Sequence, residues 1–202
     1  MRRALHLAID RPALVDSLLR GQGRAASQPA PADVFGFDPA LPEPRYDPEA
    51  ARGLLREAGW ARGLKARLDV ASDRSDAARL IASQLSRVGV ALEINAVPRD
   101  VVYQLGSSGK SALYFMGWNF VSGESSEFLE YCLHSPGTKL GLTNYGGYAN
   151  QRLDRIAEEN PSVLDPLERQ KLLFEAARIA MAELPVLLRI AAPTDAPDDA
   201  RP

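Results

Sequence analysis

Cysteine and histidine are nearly missing from this chain of 202 residues: Cys132 stands alone, accompanied only by His6 and His134. One thiol excludes an internal disulfide, and three such residues so placed offer no metal-ligand spacing, so neither a metal nor a cofactor is expected. An excess of charge is lacking too. The 24 basic and 26 acidic residues leave a formal net charge of −2, too balanced for the footprint that binds a phosphate backbone, and no nucleic-acid partner is expected. Long apolar runs are absent; the stretch from Ala112 to Trp118 falls far short of the roughly 18 residues a membrane-spanning helix needs. The amino terminus carries Arg2 and Arg3 but no sustained apolar region and no small-residue cleavage site, so no signal peptide is read there. What is present is ordinary for a globular domain: 46% hydrophobic and 25% charged residues, enough to build a core.

Periodicity then orders the chain. Asp10 caps a helix over 11–19 that Gly21 stops. Six of the 15 prolines fall between Gln28 and Pro48, which excludes helix or central strand and predicts an extended segment over 28–48. Its aromatics Phe35, Phe37 and Tyr46 argue that it lies packed on a domain surface. Asp47-Pro48 opens the next helix and Gly59 ends it. Leu64, Ala66, Leu68 and Val70 alternate with polar residues as a strand, and Val90, Leu92, Ile94 and Ala96 do so again. Between them Ala77, Leu80, Ile81, Leu85 and Val88 share a helix face. A short helix over 100–105 precedes 112–118, a continuous apolar run of the fully buried strand type. This alternation predicts an α/β fold, a mostly parallel sheet with flanking helices and right-handed crossovers. Helices over 124–133, from Asn150 to Pro161 and from Asp165 to Leu184, then a strand over 186–190, complete one domain spanning 1–190; 191–202 reads as a disordered tail.

In a parallel α/β sheet ligands bind beyond the carboxyl ends of the strands, so the residues after Gly117 are the first site candidates. They are Trp118, Asn119, Phe120, Val121, Ser122, Gly123, Glu124, Ser125 and Ser126. The same loop is explained without a ligand if Ser122 caps the following helix and Glu124 favours its first turn. The segment from Thr143 to Asn150, with Tyr145, Tyr148 and two glycines, is the second candidate; its structural reading is a turn feeding the Asn150 cap. Cys132 and His134 are two apart, which on a helix points them to different faces, and no orienting third residue accompanies them. Gly21-Gln22-Gly23 lacks the third glycine and the preceding strand of a dinucleotide fingerprint. Nothing assembles a general acid and base, so no enzyme is expected.

Four ordered stretches carry a family resemblance. Arg3-Ala4-Leu5-His6-Leu7-Ala8-Ile9-Asp10-Arg11 is similar to a helix written R-A-x-x-x-A-I-D-R, and Tyr46-Asp47-Pro48-Glu49-Ala50-Ala51 with Leu54-Leu55-Arg56-Glu57-Ala58-Gly59 to Y-D-P-E-K-A-x-x-L-L-x-E-A-G. Gly117-Trp118 and the run from Asn144 through Asp154 are similar to a G-W loop and an N-Y-x-G-Y-S-N-P-x-x-D segment, and 165–184 to a last helix. With these the chain resembles the carboxy-terminal lobe of the family 5 extracellular solute-binding proteins, the peptide, dipeptide and nickel-type receptors of ABC importers. The resemblance implies one lobe of a bilobed, type II periplasmic-binding-protein architecture that captures a peptide or similar small solute and delivers it to a permease, without covalent chemistry. It implies a periplasmic or cell-surface location and, as ligand contacts, Trp118, Asn119, Val121, Ser122, Glu124, Ser125, Tyr145 and Tyr148.

Two departures shape the expectation. The chain matches less than half of the family's length, so it is expected to lack the first lobe and to bind weakly unless a partner chain supplies the other wall. Peptide-binding members carry an Asp three residues after the loop tryptophan; Val121 stands there, and Glu124 is the nearest acid left to serve a cationic ligand group. Trp118, Phe120, Tyr145 and Tyr148 are expected on an exposed, partly apolar face. The alternative is an intracellular ligand-sensing or scaffold lobe acting with a partner chain.

Overall fold

Asp10 and Asp47 each accept a backbone N–H three residues on, from Ala13 at 3.1 Å and from Ala50 at 2.9 Å, and so start two helices whose first residues are Arg11-Pro12 and Pro48. The computed structural model containing them describes residues 1–187 and 190–191. The chain divides into two compact units, 1–26 with 44–117 and the residues from Leu187, and 27–43 with 118–186.

The first unit holds α1 (Arg2–Leu7), α2 (Arg11–Leu19), β1 (Arg24–Ala25), α3 (Pro48–Glu57), β2 (Leu64–Ala71), α4 (Ser75–Ser86), β3 (Val90–Val97), α5 (Arg99–Ser107), β4 (Leu113–Phe115) and β5 (Ile190–Ala191). β2 is central and parallel to both neighbours in the order β3-β2-β4, in register from Leu64 opposite Val90 to Ala71 opposite Val97. Its period of two sends Leu68 and Val70 into a core shared with Ile9, Leu14, Leu55, Ile81, Leu85 and Phe115. Asp69, on the opposite face, is fully buried. It accepts from Asn95 Nδ2 at 2.7 Å and Ser111 Oγ at 2.5 Å and pairs with Arg67 Nε at 3.0 Å, the partners that a buried charge requires. Gln84 closes the other side by accepting from the Asp10 N–H and donating to the Asp10 carbonyl, at 2.9 and 3.1 Å.

Two strand expectations are corrected. The apolar run 112–118 forms only a three-residue strand at the edge of the sheet, and of its residues Phe115 alone is buried. The run is continuous in sequence because it serves two cores: Leu113 and Phe115 pack into the first unit, Trp118 into the second. Of the expected strand over 186–190, Val186 and Leu187 lie outside any strand, Ile190 with Ala191 pairs antiparallel to β1, and 188–189 lie outside the described residues. The tail reading likewise falls outside them, except at Ala191.

The second unit holds α6 (Ser126–Phe128), continued by a wide π-helical turn over Leu129–Leu133, then α7 (Gln151–Glu159) and α8 (Pro166–Glu183). Its core joins Phe128, Leu129, Leu133, Leu153, Ile156, Leu173, Ala176 and Ala180. The helix expected from Glu124 starts two residues later. The Ser125 N–H donates to the Phe35 carbonyl at 2.9 Å, part of a parallel bridge that holds Glu124 against Phe35. The 28–48 stretch is free of helix up to Pro48, where α3 opens, and Gln28 and Asp38 clasp it through two 2.9 Å hydrogen bonds.

Candidate functional site

The loop from Trp118 to Ser125 lies wholly in the second unit and is fastened at both ends. Trp118 meets the Phe128 ring edge-on, centroids 5.8 Å apart at 83°, and lies tilted against Tyr131 at 5.8 Å. Phe120 leans on Phe128 at 6.3 Å. The far end is stitched to the proline-rich segment: the Phe35 N–H donates to the Gly123 carbonyl at 2.9 Å, and the Ser125 N–H returns the bond. Gly36 permits this approach, having φ +92° and no side chain where a Cβ would meet Ser125 Oγ. Between the anchors Asn119, Val121, Ser122 and Gly123 are exposed, Val121 to 91%.

Three carboxylates surround the loop. Glu127 accepts the Val121 N–H at 3.1 Å and the Ser122 N–H at its other oxygen. Burial pushes its carboxyl up, but the Ser122 and Val121 donors outweigh this and hold it below the usual range. Ser122 does not cap the helix; its hydroxyl accepts the Glu124 N–H at 3.3 Å within the loop. Glu124 is ion-paired to Arg169 of α8, whose guanidinium sits 6.0 Å over the Phe35 ring, and it also receives the Ser126 hydroxyl at 3.3 Å. Both of these contacts fall on its Oε2. Burial, then the charges of Glu127 and Glu124, push the Glu130 carboxyl up against the lowering effect of Arg169.

The second candidate segment is held elsewhere in the same unit. The Asn144 side chain receives the Tyr148 N–H at 3.1 Å and donates to its carbonyl at 2.7 Å. The Tyr148 hydroxyl donates to Glu183 at 2.7 Å, and Asn150 caps α7 while donating to the same carboxylate at 2.8 Å. Tyr145 and Tyr148 are half-buried, as are Trp118 and Phe120; the exposed apolar side chains nearby in sequence are Val121, Tyr131 and Leu142. Cys132 and His134 do not meet as nucleophile and base. The thiol lies 3.3 Å from Thr143 Oγ1 and is pushed up to about 11 by burial, while the His134 ring faces the Ser135 carbonyl and Glu158.

Sequence reasoning missed three residues that shape the loop. Glu127 carried a usable signal, an acid in the first turn of a helix. Phe35 was read as a packed aromatic without its partner. Arg169 had none, being 45 residues from Glu124. A recess beside the loop's end, lined by Gly36, Ser125, Phe128, Leu129 and Leu173 among others, is apolar and about 20 Å³, room for one water.

Comparison with known proteins follows this geometry. Residues 1–139 match the profile of bacterial extracellular solute-binding proteins, family 5 Middle. Heme-binding protein A of Haemophilus influenzae is 26% identical over 192 residues, covering 92% of this chain and 35% of that protein. The glutathione-binding protein GsiB of Escherichia coli K12 is 28% identical over 193 residues, covering 92% and 38%. Among solved structures, HbpA2 of Haemophilus parasuis superposes with a TM-score of 0.85 at 26% identity, over 94% of this chain and 38% of that one. The periplasmic binding protein DppA of Helicobacter pylori, in complex with the peptide STSA, reaches the same score at 22% identity, over 94% and 37%. The fold is thus that of one portion of a bilobed periplasmic binding protein, and the chain spans little more than a third of the length of these relatives.

Proposed function

This chain belongs to the bacterial extracellular solute-binding proteins of family 5, a family of binding proteins and not of enzymes, and on that footing we propose that it supplies the ligand-contacting loop of an ABC-importer receptor for peptides or similar small solutes. The observation that carries this reading is the loop 118–126, with rigid aromatic anchors and hydrogen-bonded ends but an exposed tip. Such preorganisation lowers the ordering cost of binding. The contacts are Trp118, Asn119, Val121, Ser122, Glu124 and Ser125, with Tyr145 and Tyr148 as a second patch. Glu124 acts through its pair with Arg169, shaping the loop and not meeting a ligand charge.

The names of the relatives support a small-solute ligand: heme, glutathione and a tetrapeptide are what those proteins are named or shown with. The working location is the periplasm or cell surface, and the partners are the permease subunits of an importer. Residues beyond this chain furnish the opposite wall, so the chain by itself binds weakly. Titration of the 15N-labelled chain with a mixture of di- and tripeptides tests the reading. Fast-exchange shifts concentrated in residues 118–126 are expected; shifts only elsewhere, or none, overturn it.

A further inference from the structure

Charge that nearly balances over the whole chain is divided between its two units. The first carries 18 basic residues against 13 acids, the second 6 against 13, so each presents an excess of one sign. Each excess gathers beside exposed apolar side chains. In the second unit the place is the corner between α7 and α8. A leucine one residue before a helix N-cap ordinarily packs on the fourth residue of the helix. In α8 that fourth residue is Arg169, drawn to Glu124, and Leu164 ahead of the Asp165 cap is left 91% exposed. Leu167, in the first turn, is 67% exposed. Glu158 and Glu159 close α7, and Asp165 and Glu168 open α8, on either side of these leucines. The cations there are Arg155 and Lys171, the latter paired with Glu168 at 2.7 Å.

In the first unit the place is the bend after α3, where Trp60 is 39% exposed between Arg56 and Arg62. Hydrogen bonds pin this bend to the start of the sheet. The Gly63 N–H donates to the Trp60 carbonyl at 3.0 Å and the Leu64 N–H to the Gly89 carbonyl at 2.9 Å, while Arg52 donates from Nε and Nη2 to the Arg87 carbonyl at 3.1 and 2.9 Å. Arg52, Arg56, Arg62, Lys65 and Arg87 therefore belong to this end of the unit, with Glu49, paired to Arg52, and Glu57 as its acids. It is the amino-terminal end of the parallel strands, opposite the carboxyl ends from which the loop 118–126 departs.

We infer that these two surfaces recognise each other between copies: the leucine corner of one chain seats against Trp60 of another, with the corner's carboxylates facing the arginines beside the indole. The partner is a second copy because the aliphatic, acidic surface and the aromatic, basic surface that complements it lie on one sequence. Apolar burial supplies the attraction, and opposite charge sets orientation and encounter. The two surfaces differ, so the contact is head-to-tail and not two-fold, and each copy keeps one of each open to the next. Neither surface includes the loop 118–126, so the inference stands or falls independently of what that loop binds.

Sedimentation velocity of the purified chain tests this, at concentrations up to about 1 mM because contacts of small area are weak. At about 20 mM salt the weight-average mass is expected to climb with concentration above that of one copy, and at about 300 mM salt the association is expected to weaken roughly tenfold. Leu164→Ser with Leu167→Ser, at exposed positions, is expected to leave a monomer, as is Trp60→Ala. Trp60 is partly packed, so Arg56→Glu with Arg62→Glu repeats the second arm with the indole intact. The mixture decides. The leucine variant keeps the Trp60 surface and the Trp60-surface variants keep the leucines, so two chains that are each monomeric alone are expected to join into a dimer that grows no further. A wild-type chain that stays monomeric at low salt overturns the inference. Association that survives the leucine changes or the changes at the Trp60 surface overturns it as well, as does a mixture of the two kinds of variant that remains monomeric.

Discussion

A Cβ built on Gly36 would lie 2.1 Å from Ser125 Oγ and 2.9 Å from Leu173 Cδ1, so the glycine sets how closely the proline-rich segment approaches the loop. Its φ of +92° is a second reason for the residue. Gly36→Ala is expected to destabilise the chain by about 3 kcal/mol through overpacking and backbone strain. Urea denaturation gives the value, and amide spectra are expected to show the disturbance concentrated at 34–36 and 123–126.

Glu127 is the strut of the loop. Glu127→Gln retains one acceptor oxygen where the carboxylate has two, so one of the Val121 and Ser122 N–H groups loses its partner. Hydrogen exchange at these two amides is expected to rise about tenfold, with a loss near 1 kcal/mol in global stability. Unchanged exchange at both positions contradicts this role.

Asp69 ties stability to acid. Burial pushes its carboxyl up, yet Asn95, Ser111 and Arg67 more than offset this and leave it below the usual value. The unfolded chain therefore takes up the proton more readily than the folded one. The stabilisation is fully present above the ordinary Asp pKa near 3.9 and is lost as pH falls through the lower folded value. Asp69→Asn is expected to flatten the acid limb of a stability-against-pH curve below about pH 5, while lowering stability at pH 7.

Cys132 is expected to be inert at neutral pH. With the thiol pushed up to about 11 by burial, the thiolate is a minute fraction at pH 7.5. Iodoacetamide labelling of the folded chain is expected to lag that of the urea-unfolded chain by at least about a hundredfold, and to quicken as pH is raised toward 10. Equal rates exclude the buried thiol described above.

Arg20 closes α2 in the left-handed region at φ +51° with its side chain exposed. A glycine suits that position at no steric cost, and Arg20→Gly is expected to stabilise the chain by about 0.5–1 kcal/mol. A lowered melting temperature runs against this account. Leu184, at φ +53°, ends α8 the same way but is partly buried, so the same exchange there is expected to lose in packing what it gains in strain.

Sequence patterns revealed most of the sheet because the physics is local: β2 and β3 alternate apolar and polar residues along most of their length, although Leu68 to Ala71 are all buried, and Asp10, Asp47, Asn150 and Asp165 all cap the helices they precede. The patterns failed where one run served two environments. The stretch 112–118 looks uniform, yet Phe115 and Trp118 enter different cores, and periodicity has no means of marking the handover. The π-helical turn at Leu129–Leu133 was read as ordinary helix, since an extra residue per turn leaves a two-turn apolar pattern nearly unchanged. At the site, the residues of the loop were legible by their position after a strand. Their partners Phe35 and Arg169 were not, since a single sequence does not show which distant residues the fold brings together.

The pairing of Arg24–Ala25 with Ile190–Ala191 constrains the order in which the chain acquires structure. Its two rungs close a loop of roughly 165 residues, at an entropic cost on the order of 4–5 kcal/mol in a flexible chain. Two rungs alone do not offset that, so the ladder forms only after the intervening elements have collapsed and shortened the effective distance. This small antiparallel clasp is therefore a latch that closes on elements already folded and not a nucleus that starts them.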